Sequence, residues 1–348
     1  MTTTSNNKPD PDAADFLTTI GSHTLLMRAL VSVAEQGIPD LLGNGPATAA
    51  ELAALAGLHE STLYRILRFL ASYGIFREDE AGRFHLTPRA NALRTGVPGS
   101  LRDRVRGPLQ DLLWRSYEKL PHMLRNGHPA FDQAHGQPFF AYLAAHPEIN
   151  EIFDRNMAHV SDRENPLVAA SYPFDRHGVV VDVGGGRGGL LAAILDRHPN
   201  VRGVLFDQPQ VVAGPERLAD DRYAGRWEPA SGDFFHVLPP AGDIYLLKRI
   251  IHDWDDTQSL AILRNCRSAL RGDARLLIID AVMQPGNAPD SNKFMDVNIM
   301  TLTPGQERTE AELRQLCDGA GLRIHRVIPL PSPATLSIVE VGLVQAIG

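Results

Sequence analysis

Cysteine is almost missing from this chain. Two occur among 348 residues, Cys266 and Cys317, and neither belongs to a C-x-x-C pair. A disulfide framework and a thiolate metal site are thereby set aside. No His/carboxylate cluster has metal-ligand spacing either, so no metal is expected. Neither sign of charge dominates: Lys and Arg number 34 against 41 Asp and Glu, a net charge of −7. That balance weighs against nucleic acid as the main partner. No apolar run approaches the length of a membrane span, and residues 1–12 carry no apolar signal core. The sequence therefore predicts a cytoplasmic protein with no membrane partner and a disordered tail over residues 1–12. What is present is apolar bulk. A hydrophobic content of 43% over this length suffices for two domains with their own cores.

One stretch organises the rest. Val179 to Val183 is a β-branched run, the pattern of a strand covered on both faces. Gly184, Gly185, Gly186, Gly188 and Gly189 follow, and then Leu190, Leu191, Ile194 and Leu195 recur at helical spacing. Strand, glycine turn and helix in this order form the first crossover of a nucleotide-type α/β domain. Gly184, Gly186 and Gly189 satisfy the dinucleotide pattern G-x-G-x-x-G, while Gly184, Gly186 and Gly188 satisfy G-x-G-x-G. Asp182, two residues upstream, breaks the tie. A pyrophosphate at a positive helix N-terminus avoids a nearby carboxylate. A cationic ligand welcomes it. S-adenosylmethionine, with a sulfonium, an ammonium and no phosphate, is preferred to NAD on this ground.

Upstream, residues 14–96 read as helices followed by a short hairpin. Leu25, Leu26, Ala29, Leu30 and Val33 share one face of a first helix. Residues 47–58 form a second, capped by Thr48 with Glu51 completing a capping box and Gly57 ending it. Ser61 or Thr62 opens a third. Residues 74–77 and 83–87 make two strands around the turn 79–82. Helix, turn, helix and β-wing make a winged helix. Its Arg65, Arg68, Arg77 and Arg83 are interrupted by Glu60, Glu78, Asp79 and Glu80, so no basic stripe forms. Dimerisation or a substrate wall is favoured over DNA binding. Residues 101–170 read as a helical bridge. Trp114, Tyr117, Leu120, Met123 and Leu124 suggest one apolar face, and Phe139, Phe140, Leu143, Ile149, Ile152, Phe153 and Met157 another. Both read as core, although aromatic and Met side chains also suit a pocket for a flat molecule. His146, His159 and His177 read as surface or core residues.

Beyond residue 178 strands and helices alternate, which predicts a parallel sheet. Strands are expected at 179–183, 202–206, just before Gly232, at 243–248 and at 275–280. A closing hairpin is expected over 322–327 and 336–341. Ligands of such sheets lie beyond the carboxyl ends of the strands. Asp207, Asp233, Lys248 with Arg249, and Asp280 all fall there. Asp207 stands 23 positions after Gly184, the spacing of a carboxylate that grips a ribose diol. Asp233 with Phe234 suits the edge and face of an adenine, and Lys248 suits a ligand carboxylate. His252 follows the fourth strand. A neutral imidazole with pKa ~6.5 is a reasonable base for a phenol near ~10. Asp280 and Glu307 are candidates to hold its tautomer.

Together, the motifs 182–188 (DVGGGRG), 232–235 (GDFF), 252–254 (HDW) and 307–309 (ERT) resemble the small-molecule O-methyltransferase family. That family includes plant caffeate and flavonoid enzymes and bacterial polyketide-tailoring enzymes. The resemblance spans nearly the whole chain. It implies a Rossmann-like class I SAM-methyltransferase domain over 171–348. The bridge 101–170 would line the substrate pocket, and a mostly helical winged-helix domain over 13–100 would form a homodimer. It implies a SAM site at Asp182, Gly184, Gly186, Asp207, Asp233, Phe234 and Lys248, with S-adenosylhomocysteine as product. His252 becomes the base flanked by Asp280 and Glu307, and Asp296, Asn298 and Met300 fall where the family touches its acceptor. Plant members usually carry Glu where Asp280 stands, and Pro304 and Gln306 depart from a common Gly-Gly-Lys pattern. The expected activity is methyl transfer to a phenolic hydroxyl of a secondary metabolite such as an aromatic polyketide. Two alternatives stay open: a SAM-binding relative with a non-methylating reaction, since cofactor motifs do not fix chemistry, and a winged-helix DNA-binding regulator.

Overall fold

The computed structural model describes residues 12–105, 108–214 and 216–344. Residues 1–11 of the expected tail, and the side chain of His159, lie outside the described residues. The chain divides into two compact units, residues 1–111 and 112–348.

In the first unit, helix Ala13–Glu35 is followed by Ile38–Leu42, strand β1 (Ala47–Thr48) and helix Ala49–Ala56. The capping box forms: the Glu51 N–H donates to Thr48 Oγ1 at 3.2 Å and the Thr48 N–H to Glu51 Oε2 at 2.7 Å. The next helix, Glu60–Ser72, starts one residue before Ser61. Its cap is neither Ser61 nor Thr62 but the His59 imidazole, whose Nδ1 accepts the Thr62 N–H at 3.3 Å. Strands β2 (Phe76–Glu78) and β3 (Arg83–Leu86) pair antiparallel, and β1 joins β3 as a third strand. Leu52, Leu67, Leu70, Phe76 and Phe84 are buried between helices and wing.

The first helix departs from expectation twice. Ala29 and Val33 are buried, but Leu25 is 63% exposed and shares the surface with Phe16, Leu17 and Ile20. The helix, 23 residues long, is also apolar enough by length and composition to cross a membrane. Thr18, Thr19, Ser22, His23, Thr24 and Arg28 interrupt its apolar residues. A search for an unbroken apolar run therefore misses it.

In the second unit the face expected over Trp114 to Leu124 is split. One helix ends at Tyr117 and another, Leu120–Asn126, begins after it. Pro121 lacks an N–H and its ring crowds the carbonyl four residues back, at Tyr117, which favours a break here. Leu124 is consequently left exposed. Helices Ala130–His135, Phe139–Ala145 and the 25-residue Pro147–Ser171 follow.

The sheet has strands β4 (Val179–Val183), β5 (Arg202–Asp207), β6 (Trp227–Ser231), β7 (Ile244–Lys248) and β8 (Arg275–Asp280), all parallel. A small parallel pair, β9 (Val282–Met283) and β10 (Arg308–Thr309), lies beside it in sequence. Strands β11 (Leu322–Pro329) and β12 (Ser337–Leu343) add the expected hairpin antiparallel to β8. The order is β11-β12-β8-β7-β4-β5-β6. Chain direction across the sheet therefore reverses at β4, which places a crevice at its carboxyl end. Alternate residues feed two cores. Val181, Tyr245, Leu247, Leu276 and Ile278 pack on one face with the free Cys266 and Cys317. Val180, Leu246, Leu277 and Ile279 pack on the other. Burial on both faces explains the nearly unbroken apolar runs of these strands.

Candidate active site

At the carboxyl end of β4, Gly184 has φ +69°, and a Cβ there would fall 2.6 Å from Ile250 Cδ1. Only glycine fits both the conformation and the space. Asp182 is buried beneath this turn, and its Oδ2 has no hydrogen-bond partner. Burial pushes its pKa up to about 7, opposed by nearby Lys248 and aided by Asp207. A buried carboxylate oxygen without a partner is costly, and a cationic ligand group in the crevice would satisfy it. At the end of β5, Asp207 Oδ2 accepts the Gly186 N–H at 2.9 Å. Beyond β6, Asp233 Oδ1 accepts the Phe235 N–H at 2.8 Å. The Phe234 ring reaches the crevice, 3.8 Å from the Cβ position of Gly184, and packs edge-on against Trp254. These groups fit S-adenosylmethionine: a glycine turn, a carboxylate at ribose spacing, a ring for the adenine and an unpaired acid for a cation.

Lys248 already has partners within the protein. Its ammonium is ion-paired with Glu164 Oε2 at 3.0 Å and donates to Ser161 Oγ at 2.9 Å. A buried ammonium needs a counter-charge, and helix Pro147–Ser171 supplies one from within the protein. Burial lowers the Lys248 pKa, and Glu164 opposes that effect.

Directly after β7, the short helical turn Ile251–Asp253 carries His252, buried, with Nδ1 3.0 Å from Glu307 Oε1. The Nδ1–H donates to that carboxylate, which fixes the tautomer. Nε2 is left 3.7 Å from Asp253 Oδ1, too long for a hydrogen bond. Of the two candidate acids, Glu307 makes the contact. Asp280 is buried nearby with both oxygens unpartnered. Burial raises Asp280 to about 7, countered by His252 and Arg249. The expected ordinary imidazole pKa is not found. Burial opposes protonation of His252, but Asp253, Asp280 and Glu307 together overcome it and raise the pKa to about 9.

The loop that presents Glu307 is tied to helix Ser291–Leu302, because the Glu307 N–H donates to Asp296 Oδ1 at 2.9 Å. Asp296 thus supports the His–Glu pair. Asn298 Oδ1 accepts the Tyr117 hydroxyl at 2.8 Å, and Met300 is half-buried on the same helix. Phe140 stacks on Trp254, two residues past His252, at an interplanar angle of 25°. The sequence reading missed Glu164, and it named Arg249 only as a neighbour of Lys248 and Tyr117 only as part of an apolar face. Each joins the site through a partner more than 80 positions away, and no local spacing signals such a contact.

A sheet with this switch point, a glycine turn over a buried acid, and a buried His–Glu pair beyond the next strand define a class I methyltransferase that uses S-adenosylmethionine. Residues 117–323 match the O-methyltransferase domain, and residues 20–96 match the O-methyltransferase dimerisation domain. The chain belongs to the O-methyltransferase family. It is 39% identical to the phenazine O-methyltransferase PhzM of Lysobacter antibioticus, over 90% of this chain and 91% of the relative. It is 40% identical to the mitomycin biosynthesis 6-O-methyltransferase of Streptomyces lavendulae, over 87% of each. Among solved structures, it resembles the O-methyltransferase NcsB1 from neocarzinostatin biosynthesis, determined with S-adenosyl-L-homocysteine and 1,4-dihydroxy-2-naphthoic acid. The TM-score is 0.80 at 33% identity, covering 91% of this chain and 96% of that one. The cofactor of this family is S-adenosylmethionine rather than a dinucleotide.

Proposed function

We propose that this enzyme methylates a phenolic hydroxyl of an aromatic secondary metabolite, with His252 taking the hydroxyl proton at Nε2. The observation that carries the reading is the His252 Nδ1 to Glu307 Oε1 contact of 3.0 Å, which leaves Nε2 unpaired. S-adenosylmethionine supplies an electrophilic methyl group on a sulfonium. The chain's own groups then have two tasks, alignment and proton removal, and alignment can contribute the larger share. Glu307 and Asp280 stabilise the imidazolium that results. The proton affinity matters here. A phenol near ~10 is closer in proton affinity to a base of about 9 than to an unperturbed imidazole, so the transfer itself is less uphill once the ring is neutral, a state that is populated as pH rises toward 9. The acid cluster thus matches the base to its phenol.

The Phe140–Trp254 stack suits a flat acceptor. The named relatives, which act on phenazine and mitomycin compounds, support an aromatic tailoring substrate. The match to the dimerisation domain and the exposed Phe16, Leu17, Ile20 and Leu25 support a homodimer through the N-terminal unit. The reading includes a cytoplasmic location and no nucleic-acid or membrane partner. Its test is His252→Asn. The variant should bind S-adenosylhomocysteine as the wild type does and lose roughly 10²–10⁴-fold in turnover. A fully active variant would leave positioning as the only contribution.

A further inference from the structure

Between the cofactor crevice and the base lies a charge cluster that the reading above does not use. Arg249 follows Lys248 and is one of two non-glycine residues with a left-handed backbone among those described, at φ +55°. Such conformations persist where the surroundings impose them. Here the Arg249 N–H donates to the Ile279 carbonyl at 3.1 Å. Its guanidinium grips Glu164 with two hydrogen bonds, Nη2 to Oε1 at 2.6 Å and Nε to Oε2 at 3.3 Å. The fork geometry is the strong form of this contact. Glu164 is also paired with Lys248, and its side chain is 7% exposed. On the other side of Arg249 stand Asp280 and Glu307. Both Asp280 oxygens and Glu307 Oε2 are buried without hydrogen-bond partners. Three acids thus surround one guanidinium, and Glu164 holds it.

We infer that Glu164 and Arg249 are positioning residues that set the proton affinity of His252: by gripping the guanidinium, Glu164 leaves Asp280 and Glu307 free to stabilise the imidazolium. The inference rests on the methyl-transfer reading above, since it gives the base its match to a phenol. Among the described residues, the charged groups that act on the ring or on its acids sit on four elements. Asp253 lies on its own turn, Asp280 at the end of β8, Glu307 on the loop before β10, and Arg249 at the end of β7. Arg308 donates to the carbonyls of Ile251 and Trp254, both at 3.0 Å, and is itself paired with Asp256 at 2.8 Å. Consistent with this, Arg249 lowers the pKa of Asp280 and of Asp253. Bound Arg249 and Lys248 outweigh burial and hold Glu164 below the usual range.

The sign of the effect separates this role from a strut that merely ties a helix to the sheet. Glu164→Gln removes a negative charge and frees Arg249 to turn to Asp280, so the His252 pKa should fall. Arg249→Met removes the positive charge, so it should rise. Each shift should be on the order of one pH unit, the usual size for the loss of one nearby charge. The measurement is an NMR titration of 13C-labelled histidine in the whole enzyme without ligand, the His252 signal being the one absent from His252→Asn. Glu340→Gln serves as control. It is another buried carboxylate held by two arginines, Arg326 at 2.7 Å and Arg275 at 3.6 Å, and should leave His252 unmoved. Opposite shifts in the first two variants support the inference. Shifts of one sign, or none, overturn it. Where Glu164→Gln fails to fold, Arg249→Met or Arg249→Gly decides alone, because a rise is required. No acceptor is needed, so failure of the base role shows separately, as retained turnover in His252→Asn.

Discussion

Gly305 offers a sharp test of how the site is held. The loop before Glu307 crosses directly against the turn that carries His252. A Cβ on residue 305 would fall 2.5 Å from the Asp253 carbonyl carbon and closer still to the His252 carbonyl oxygen. Both are backbone atoms and cannot swing away as a side-chain tip can. Ordinary Cβ contact begins at 3.4 Å, so in Gly305→Ala one segment must retreat by about 1 Å, a misplacement able to cost ~10²-fold in rate. The retreat opens the His252–Glu307 contact, which spans the same two segments. Overpacking of this kind also costs about 1–3 kcal/mol of stability. The assay is turnover together with S-adenosylhomocysteine affinity and the melting midpoint. Turnover should fall about a hundredfold while affinity changes little, since the glycine turn lies elsewhere. Gly214→Ala, where a Cβ meets nothing within 4 Å, should change none of the three. Wild-type turnover in a folded Gly305→Ala enzyme would refute the reasoning.

Other expectations follow from the same geometry. The His252 pKa of about 9 lies above its unfolded value, so its contribution to stability is complete below pH ~6.5 and is lost as pH rises through 9. Asp280, raised to about 7, acts in the same direction at lower pH. The melting midpoint should therefore decline between pH 6.5 and 9, and less steeply in His252→Asn. Turnover should climb over the same window as the ring loses its proton, and a bell centred near pH 6.5 would contradict the acid cluster. Asp182→Asn should weaken S-adenosylhomocysteine binding by roughly 10- to 150-fold, the range for a hydrogen bond to a charged group, measurable by calorimetry. Leu25→Glu on the exposed helix face should convert a dimer to a monomer in sedimentation, with unit cores intact.

What the sequence disclosed was local. The β-branched run at 179–183, the glycine turn, the Thr48–Glu51 capping box and the closing hairpin each depend on near neighbours or on a period, and each is found. The helix break before Leu120 has a local cause in Pro121, which disfavours continuation, yet the apolar spacing alone read as one face. Charge environments were not legible. Residues 253, 280 and 307 converge on one imidazole only after β7, β8 and the loop before β10 have been packed. Their sum, rather than any one of them, outweighs burial at His252. Lys248 shows the same limit. Its place at a strand end could be read, but its partner Glu164 comes from a helix more than 80 positions upstream. The strain at Arg249 and the crossing at Gly305 likewise belong to contacts between distant segments.

The most direct test of the account is to incubate the enzyme with S-adenosylmethionine and a panel of aromatic acceptors, and to weigh the products of wild type and His252→Asn. The account predicts a product heavier by one methylene unit from a phenolic acceptor. It also predicts a drop of roughly 10²–10⁴-fold in His252→Asn with S-adenosylhomocysteine affinity intact. A product with any other mass change, or undiminished methylation by His252→Asn, would contradict it.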